Sequence, residues 1–151
     1  MHHTETKIFP YKTADVFALI TDIEAYPEFL PWCAAVRVLE RKENATTAEM
    51  VVRYKGLSER FISRVTTELN IVDVKLVEGP FSHLHNRWEL TEIPEGTQID
   101  FTIDFAFRSQ MLEKLMGYFF NSAFTKMVSA FEARAKAKCV KKGSVMTRGI
   151  S

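Results

Sequence analysis

The spacing of apolar residues changes once along this chain, near Ser109, and that change limits the fold more than any other feature. Before it, Ile99, Phe101, Ile103, Phe105 and Phe107 alternate with Gln98, Asp100, Thr102 and Asp104. Period two with one polar face marks an antiparallel strand that is wet on one side. After Ser109, a good N-cap, the period becomes helical. Leu112, Leu115, Met116, Phe119, Ala123, Met127, Phe131 and Ala135 recur at spacings of three and four. No proline follows, and Gly117 is the only glycine before Gly143. One unbroken helix is predicted, on the order of 40 Å long at roughly 1.5 Å per residue.

Upstream, residues 4–9 read as a first strand. Thr13 then caps a short helix with Val16, Phe17 and Ile20 on one face. Residues 21–32 connect it to further strand patterns at 36–41, 47–54, 60–71, 73–78, 82–92 and 98–107. Turns fall at Asn44–Thr46, Gly56, Gly79–Pro80 and Pro94–Gly96. The expected order is strand, short helix, connection, six further strands and a long helix, an α+β chain. An antiparallel sheet of about seven strands twists and curls. The long helix is the only element large enough to cover its apolar face, and a sheet curled around one helix leaves space between them.

A length of 151 residues suits a single domain. We place it at residues 1–140, with 141–151 as a polar, flexible tail. Twelve phenylalanines, four tyrosines and two tryptophans are enough to build a core and to line a cavity as well. A net charge of +1 argues against a dedicated nucleic-acid binder, so no DNA partner is expected. Cys33 and Cys139 lie far apart and form no C-x-x-C, which points to a reducing compartment without a disulfide framework. No apolar run approaches a membrane span, and the N-terminus lacks a signal or amphipathic leader pattern. The expected location is the cytoplasm or the periphery of the inner membrane.

One connection stands out: Tyr26-Pro27-Glu28-Phe29-Leu30-Pro31-Trp32-Cys33. Two prolines bracket it, so it cannot run on as ordinary helix or strand. A stiff apolar segment in a soluble chain needs something to bury against. It is either a plug in the core or a gate whose Phe29, Leu30 and Trp32 touch a bilayer.

That octapeptide, Gly79-Pro80-Phe81 followed by Leu84 and Trp88, the aromatic strand ending at Phe107, and Met127, Phe131 and Arg134-Ala135 in the last helix together resemble a known family. It is the START-like, helix-grip branch that holds coenzyme Q-binding proteins and bacterial ribosome-association toxins. The likeness runs over about residues 3–138, with Leu90 where an aromatic is expected after Trp88. The resemblance implies a curled sheet wrapped around a long C-terminal helix. It also implies binding of ubiquinone or a similar isoprenoid lipid in an apolar cavity, in support of respiratory electron transport. For the toxin relatives it implies binding to the large ribosomal subunit and inhibition of translation. A cyclase or dehydratase on the same fold is the third reading.

The residues expected to face such a ligand are Phe17, Tyr26, Phe29, Leu30, Trp32, Met50, Val52, Tyr54, Phe61, Trp88, Phe101, Ile103, Phe105, Leu115, Met116 and Phe119, with Val65 beside them. Their alternative is an ordinary packed core. Donors for a quinone ring are Tyr26, Tyr54, Trp88 and Asn86. No nucleophile, base and orienter converge, so no catalytic residue and no cofactor other than the bound quinone is expected. His83 and His85 share one strand face, but no third ligand accompanies them and no metal is expected. Asp100 and Asp104 lie on the wet face. Arg134, Lys136, Lys138, Lys141, Lys142 and Arg148 make the C-terminal end basic. This is either a solvated helix end suited to the helix dipole or a docking patch for anionic lipid or ribosomal RNA, centred on Arg134, Lys138, Lys141 and Lys142.

Overall fold

In the computed structural model, which describes residues 1–143, the elements follow the order β1 (His2–Phe9), α1 (Thr13–Thr21), a 3₁₀ helix (Ile23–Glu28), β2 (Cys33–Arg41), β3 (Ala45–Tyr54), β4 (Leu57–Glu68), β5 (Ile71–Glu78), β6 (Phe81–Ile93), β7 (Gly96–Phe107) and α2 (Gln110–Lys138). The seven strands form one sheet in the order β1-β7-β6-β5-β4-β3-β2, antiparallel throughout. β1 and β2 follow each other in sequence yet lie at opposite edges. The short α1–3₁₀ connector can join them only because the sheet curls until its edges approach. Register shifts in β2, β4 and β6 add local bend to that curl.

The strand predicted over 60–71 is in fact most of β4, a turn at Leu69-Asn70, and the first residue of β5. Leu69 continues the alternation by sequence, but it is 88% exposed, and Asn70 takes φ 61° to reverse the chain. Asn is among the few non-glycine residues that adopt this conformation readily. Similarly, β2 ends at Arg41 and β3 begins at Ala45, so the turn occupies residues 42–44, two positions earlier than Asn44–Thr46.

Thr13 does not cap α1. The N-cap position is Lys12, without a side-chain cap. Thr13 Oγ1 lies 2.8 Å from Thr97 Oγ1, and Thr97 donates to Tyr11 O at 2.9 Å. Thr97 has a single hydroxyl proton, so Thr13 is the donor of that pair. Both threonines are buried, and their hydroxyls satisfy each other and the backbone between β1 and α1.

α2 spans 29 residues, and Ser109 Oγ accepts from Leu112 N at 3.3 Å, the cap expected there. Its N-terminal end is fixed to the sheet: Glu113 accepts from Phe107 N at 2.7 Å, and Arg108 Nε donates to Phe81 O at 3.0 Å. Its C-terminal end is fixed as well. Lys12 N donates to Val140 O at 2.9 Å, Val140 N to Asp15 Oδ2 at 2.8 Å, and Lys142 N to Pro10 O at 3.2 Å. Tyr11 and Lys141 form a bridge there. Residues 144–151, with Arg148, lie outside the described residues. Among the described residues no helix is long and apolar enough to cross a membrane.

The apolar interior is divided. A larger cluster joins Phe9, Val16, Ile20, Leu30, Val72, Ile99, Phe131 and Ala135 among others. A smaller one gathers Phe81, Leu84 and Phe105, with Phe61, Ile103, Phe107 and Phe120 packed against it.

Candidate functional site

Between these two clusters, sheet and helix do not interdigitate fully. A cavity of about 250 Å³ remains, lined from both clusters by α1, the proline-bracketed segment, β2–β7 and α2. Of the residues expected to face a ligand, Tyr26, Leu30, Trp32, Met50, Val52, Tyr54, Phe61, Trp88, Phe101, Ile103, Phe105 and Met116 stand on its wall, together with Val65 and Asn86.

Four others stand elsewhere, each for a geometric reason. On α1 the inward positions are Val16 and Ile20, 0% and 2% exposed; Phe17 is rotated one step off that face. Leu115 is displaced in the same way from Met116. Phe29 packs edge-on against Tyr26 and Phe131, with ring centroids 5.8 and 5.2 Å away, and lies under the Arg134 guanidinium at 5.0 Å. Phe119 meets Tyr54 edge-on at 5.9 Å, with Lys55 Nζ over its other side at 5.6 Å.

The wall also holds residues not anticipated, notably Phe81, Leu84, Phe120, Phe124, Met127 and Phe131. Adjacent phenylalanines at 119 and 120 left the helix phase ambiguous by one residue. The ring contacts resolve it: Phe120 lies 5.3 Å from Phe105, and Phe124 stacks on Phe101 at 5.6 Å. Ser63 joins the wall because in β4 it shares a face with Phe61 and Val65.

The octapeptide packs into the interior and forms one end of the cavity wall through Tyr26, Leu30 and Trp32. Leu30 and Cys33 are 3% and 4% exposed, and Tyr26 donates its hydroxyl to Ile20 O. Burial raises the Tyr26 phenol, with Cys33 and Asp22 adding to the effect. Burial also pushes the Cys33 thiol up to about 11, so it stays protonated at neutral pH. Arg134 closes the arrangement with a 2.9 Å ion pair to Glu28.

Few polar atoms face the cavity. Trp88 Nε1 donates to Asn86 Oδ1 at 3.2 Å, and Tyr54 donates to Ser122 Oγ at 3.3 Å at an exposed edge. Trp32 Nε1 is buried without a partner. Among the described residues no acid, histidine or lysine lines the wall.

The outer face of the sheet is where the charges meet. His85 Nε2 lies 2.9 Å from Asp73 Oδ1, Arg87 Nη1 lies 3.0 Å from Asp73 Oδ2, and His83 Nε2 lies 3.3 Å from Asp104 Oδ1. Burial alone would raise the Asp73 carboxyl, but hydrogen bonds from His85 and Arg87 outweigh it and hold it below its ordinary value. Among the described residues no group of three or more His, Cys, Asp or Glu could hold a metal. Of the C-terminal cations, Arg134 turns to Glu28, and Lys142 donates to Ile93 O at 2.5 Å with Glu92 at 3.7 Å. Lys138 and Lys141 are exposed, the backbone of Lys141 lying in the bridge to Tyr11.

Comparison with known proteins gives this geometry a context. The family described as "polyketide cyclase / dehydrase and lipid transport" matches residues 9–132. The ribosome association toxin RatA of Rickettsia prowazekii is 41% identical over 136 residues, covering 87% of this chain and 93% of that protein. The mitochondrial coenzyme Q-binding protein COQ10 homolog B of Xenopus laevis is 29% identical over 141 residues, 89% of this chain and 58% of that one. The solution structure of the 18 kDa protein CC1736 from Caulobacter crescentus superposes with a TM-score of 0.74 at 34% identity, over 91% of this chain and 97% of the other. The fold is the START-like helix grip expected from the sequence.

Proposed function

The chain belongs to the polyketide cyclase/dehydrase and lipid transport family, and from that premise we propose that it binds ubiquinone or a similar isoprenoid lipid, without catalysis, in the cavity between α2 and the sheet. The observation that carries this reading is the cavity itself: about 250 Å³, walled almost wholly by aliphatic and aromatic side chains. Voids of roughly 150 Å³ with such walls stay dry and take up benzene. The space here suits a substituted ring with a short stretch of chain, so most of a long polyprenyl tail lies outside it. The absence of acids, histidines and lysines from the wall, among the described residues, supports binding over cyclase or dehydratase chemistry.

Selectivity has to come from the head group. A tail moving out of a bilayer is already dehydrated, so burying it in the protein gains almost nothing over the membrane. Support for respiratory electron transport follows if the guest is ubiquinone. The deciding experiment is solvent extraction of the pure protein from a quinone-producing host, with mass spectrometry of the extract. Recovery of quinone near one per chain is expected. Repeatedly empty extracts from folded protein would remove this reading.

A second reading is favoured by the relatives named for ribosome association, one of them 41% identical. In it, the chain docks on the large ribosomal subunit through its basic C-terminal end, with Lys138 and Lys141 as the exposed members of Arg134, Lys138, Lys141 and Lys142. Co-sedimentation with ribosomes across a salt series tests it. Binding that weakens as salt rises is expected, and no binding at low salt would end it.

A further inference from the structure

Along its first half, α2 is apolar on two sides. One side lines the cavity through Met116, Ala123 and Phe124. On the other, Met111, Leu115, Tyr118 and Ser122 follow at spacings of three and four, so they share an outer stripe. Met111 is 67% exposed and Tyr118 85%. In the second half of α2 the corresponding outward positions are Ser129, Glu132, Ala133 and Lys136, all small or polar, as on an ordinary surface helix. The apolar outer stripe is therefore local. It borders the seam between α2 and the β3–β4 turn, where Tyr54 of the cavity wall donates to Ser122 Oγ at 3.3 Å and meets the Phe119 ring at 5.9 Å.

Cations frame this stripe. Over residues 53–59 and 110–126, the exposed charged side chains are Arg53, Lys55, Lys114 and Lys126. The acids there, Glu59 and Glu113, are half-buried, and Glu113 is turned to Phe107 N. Lys55 Nζ stands over Phe119 at 5.6 Å and Lys126 Nζ over Tyr54 at 5.8 Å, so positive charge lies directly beside the aromatic seam.

We propose that this face docks on an anionic lipid bilayer, with Met111 and Tyr118 entering the headgroup layer and Lys55, Lys114 and Lys126 meeting lipid phosphates. A membrane interface takes up apolar side chains, suits tyrosine at headgroup depth and attracts cations when its lipids are anionic. A second copy of the chain fits less well, because a symmetric pairing sets these lysines against their own counterparts. A nucleic-acid backbone would satisfy the lysines but leave Met111 and Leu115 in water. Docking here rests on the cavity reading for its purpose: it turns the Tyr54–Ser122 seam toward the bilayer that holds a lipid guest. The face lies at the opposite end of α2 from Lys138.

The test is flotation of the whole protein at low salt with vesicles of phosphatidylcholine alone or mixed with phosphatidylglycerol. Binding to the mixed vesicles is expected, weakening as salt rises. Met111→Ser with Tyr118→Ser should weaken it by roughly tenfold or more. Lys114→Gln with Lys126→Gln should weaken it by roughly fivefold per residue and leave binding to phosphatidylcholine alone unchanged. All four positions lie off the cavity wall, so Tm and co-purified lipid should match the native chain. No flotation with mixed vesicles, or variants that float as the native chain does, would overturn the docking face. A native dimer that Met111→Ser with Tyr118→Ser makes monomeric would assign the face to a second copy. Ribosome co-sedimentation lost in that variant, without vesicle binding by the native chain, would assign it to the ribosome. Either result overturns the bilayer. Quinone recovered from a chain that does not float rejects the docking and spares the cavity reading; flotation with repeatedly empty extracts does the reverse.

Discussion

Single residues fix this fold where backbones come closest. Gly96 opens β7 at φ +145°, and a Cβ built there would sit 2.2 Å from Phe9 O and 2.8 Å from Pro10 Cα. Gly96→Ala must push the β1–α1 junction away and adopt a backbone conformation that L-residues avoid. A loss of about 2 kcal/mol or more is expected, read as a fall of several degrees in Tm. The two thiols give a second prediction. Burial raises Cys33 and Cys139 from 9.0 to about 11, with Asp15 adding to the effect at Cys139. The folded chain thus holds these protons more tightly than the unfolded one. That contribution is complete below about pH 9 and is lost as pH rises through 11. The urea midpoint should therefore decline across this interval, and a flat profile would contradict the buried, protonated thiols.

At the scale of elements, the sequence disclosed period and order better than phase and ends. Strand alternation in 98–107 and helical spacing after Ser109 were legible because burial on one face imposes them directly. The turn at Leu69-Asn70 was hidden, because an exposed leucine happens to continue the pattern. The side of α2 that faces the cavity was hidden for a related reason: Phe119 and Phe120 are both apolar, and only the position of Phe105 decides between them. Thr13 reads as a cap by type, yet its hydroxyl answers to Thr97, eighty-four positions away in sequence. The packing of the octapeptide depends on the Phe131 ring, a partner about a hundred positions away that no local pattern supplies. α2 also carries a testable weakness. Gly117 lies in its interior, and a Cβ there would meet nothing within 4 Å. Gly117→Ala should raise stability by about 0.5–1 kcal/mol through helix propensity alone, measurable as a higher denaturant midpoint. A loss would mean that this stretch does not remain helical.

For the whole molecule, the divided interior joins stability to function. Ala123 lies on the helical side of the cavity, and Ala123→Leu places additional carbon in the void. Filling such space commonly stabilises by about 0.5–2 kcal/mol, so Tm should rise. Co-purified lipid should fall in the same variant, while co-sedimentation with ribosomes should not change. Reduced sedimentation with unchanged lipid would instead tie the cavity to the ribosomal reading. The fastenings at Ser109–Glu113 and at Val140–Lys142 make α2 behave like a bridge deck bolted to both abutments. Such a deck cannot swing aside as a door does. If a guest enters beneath it, the span between the two fastenings has to bend, and Gly117, in the third turn of α2, is the least helix-prone position of that span.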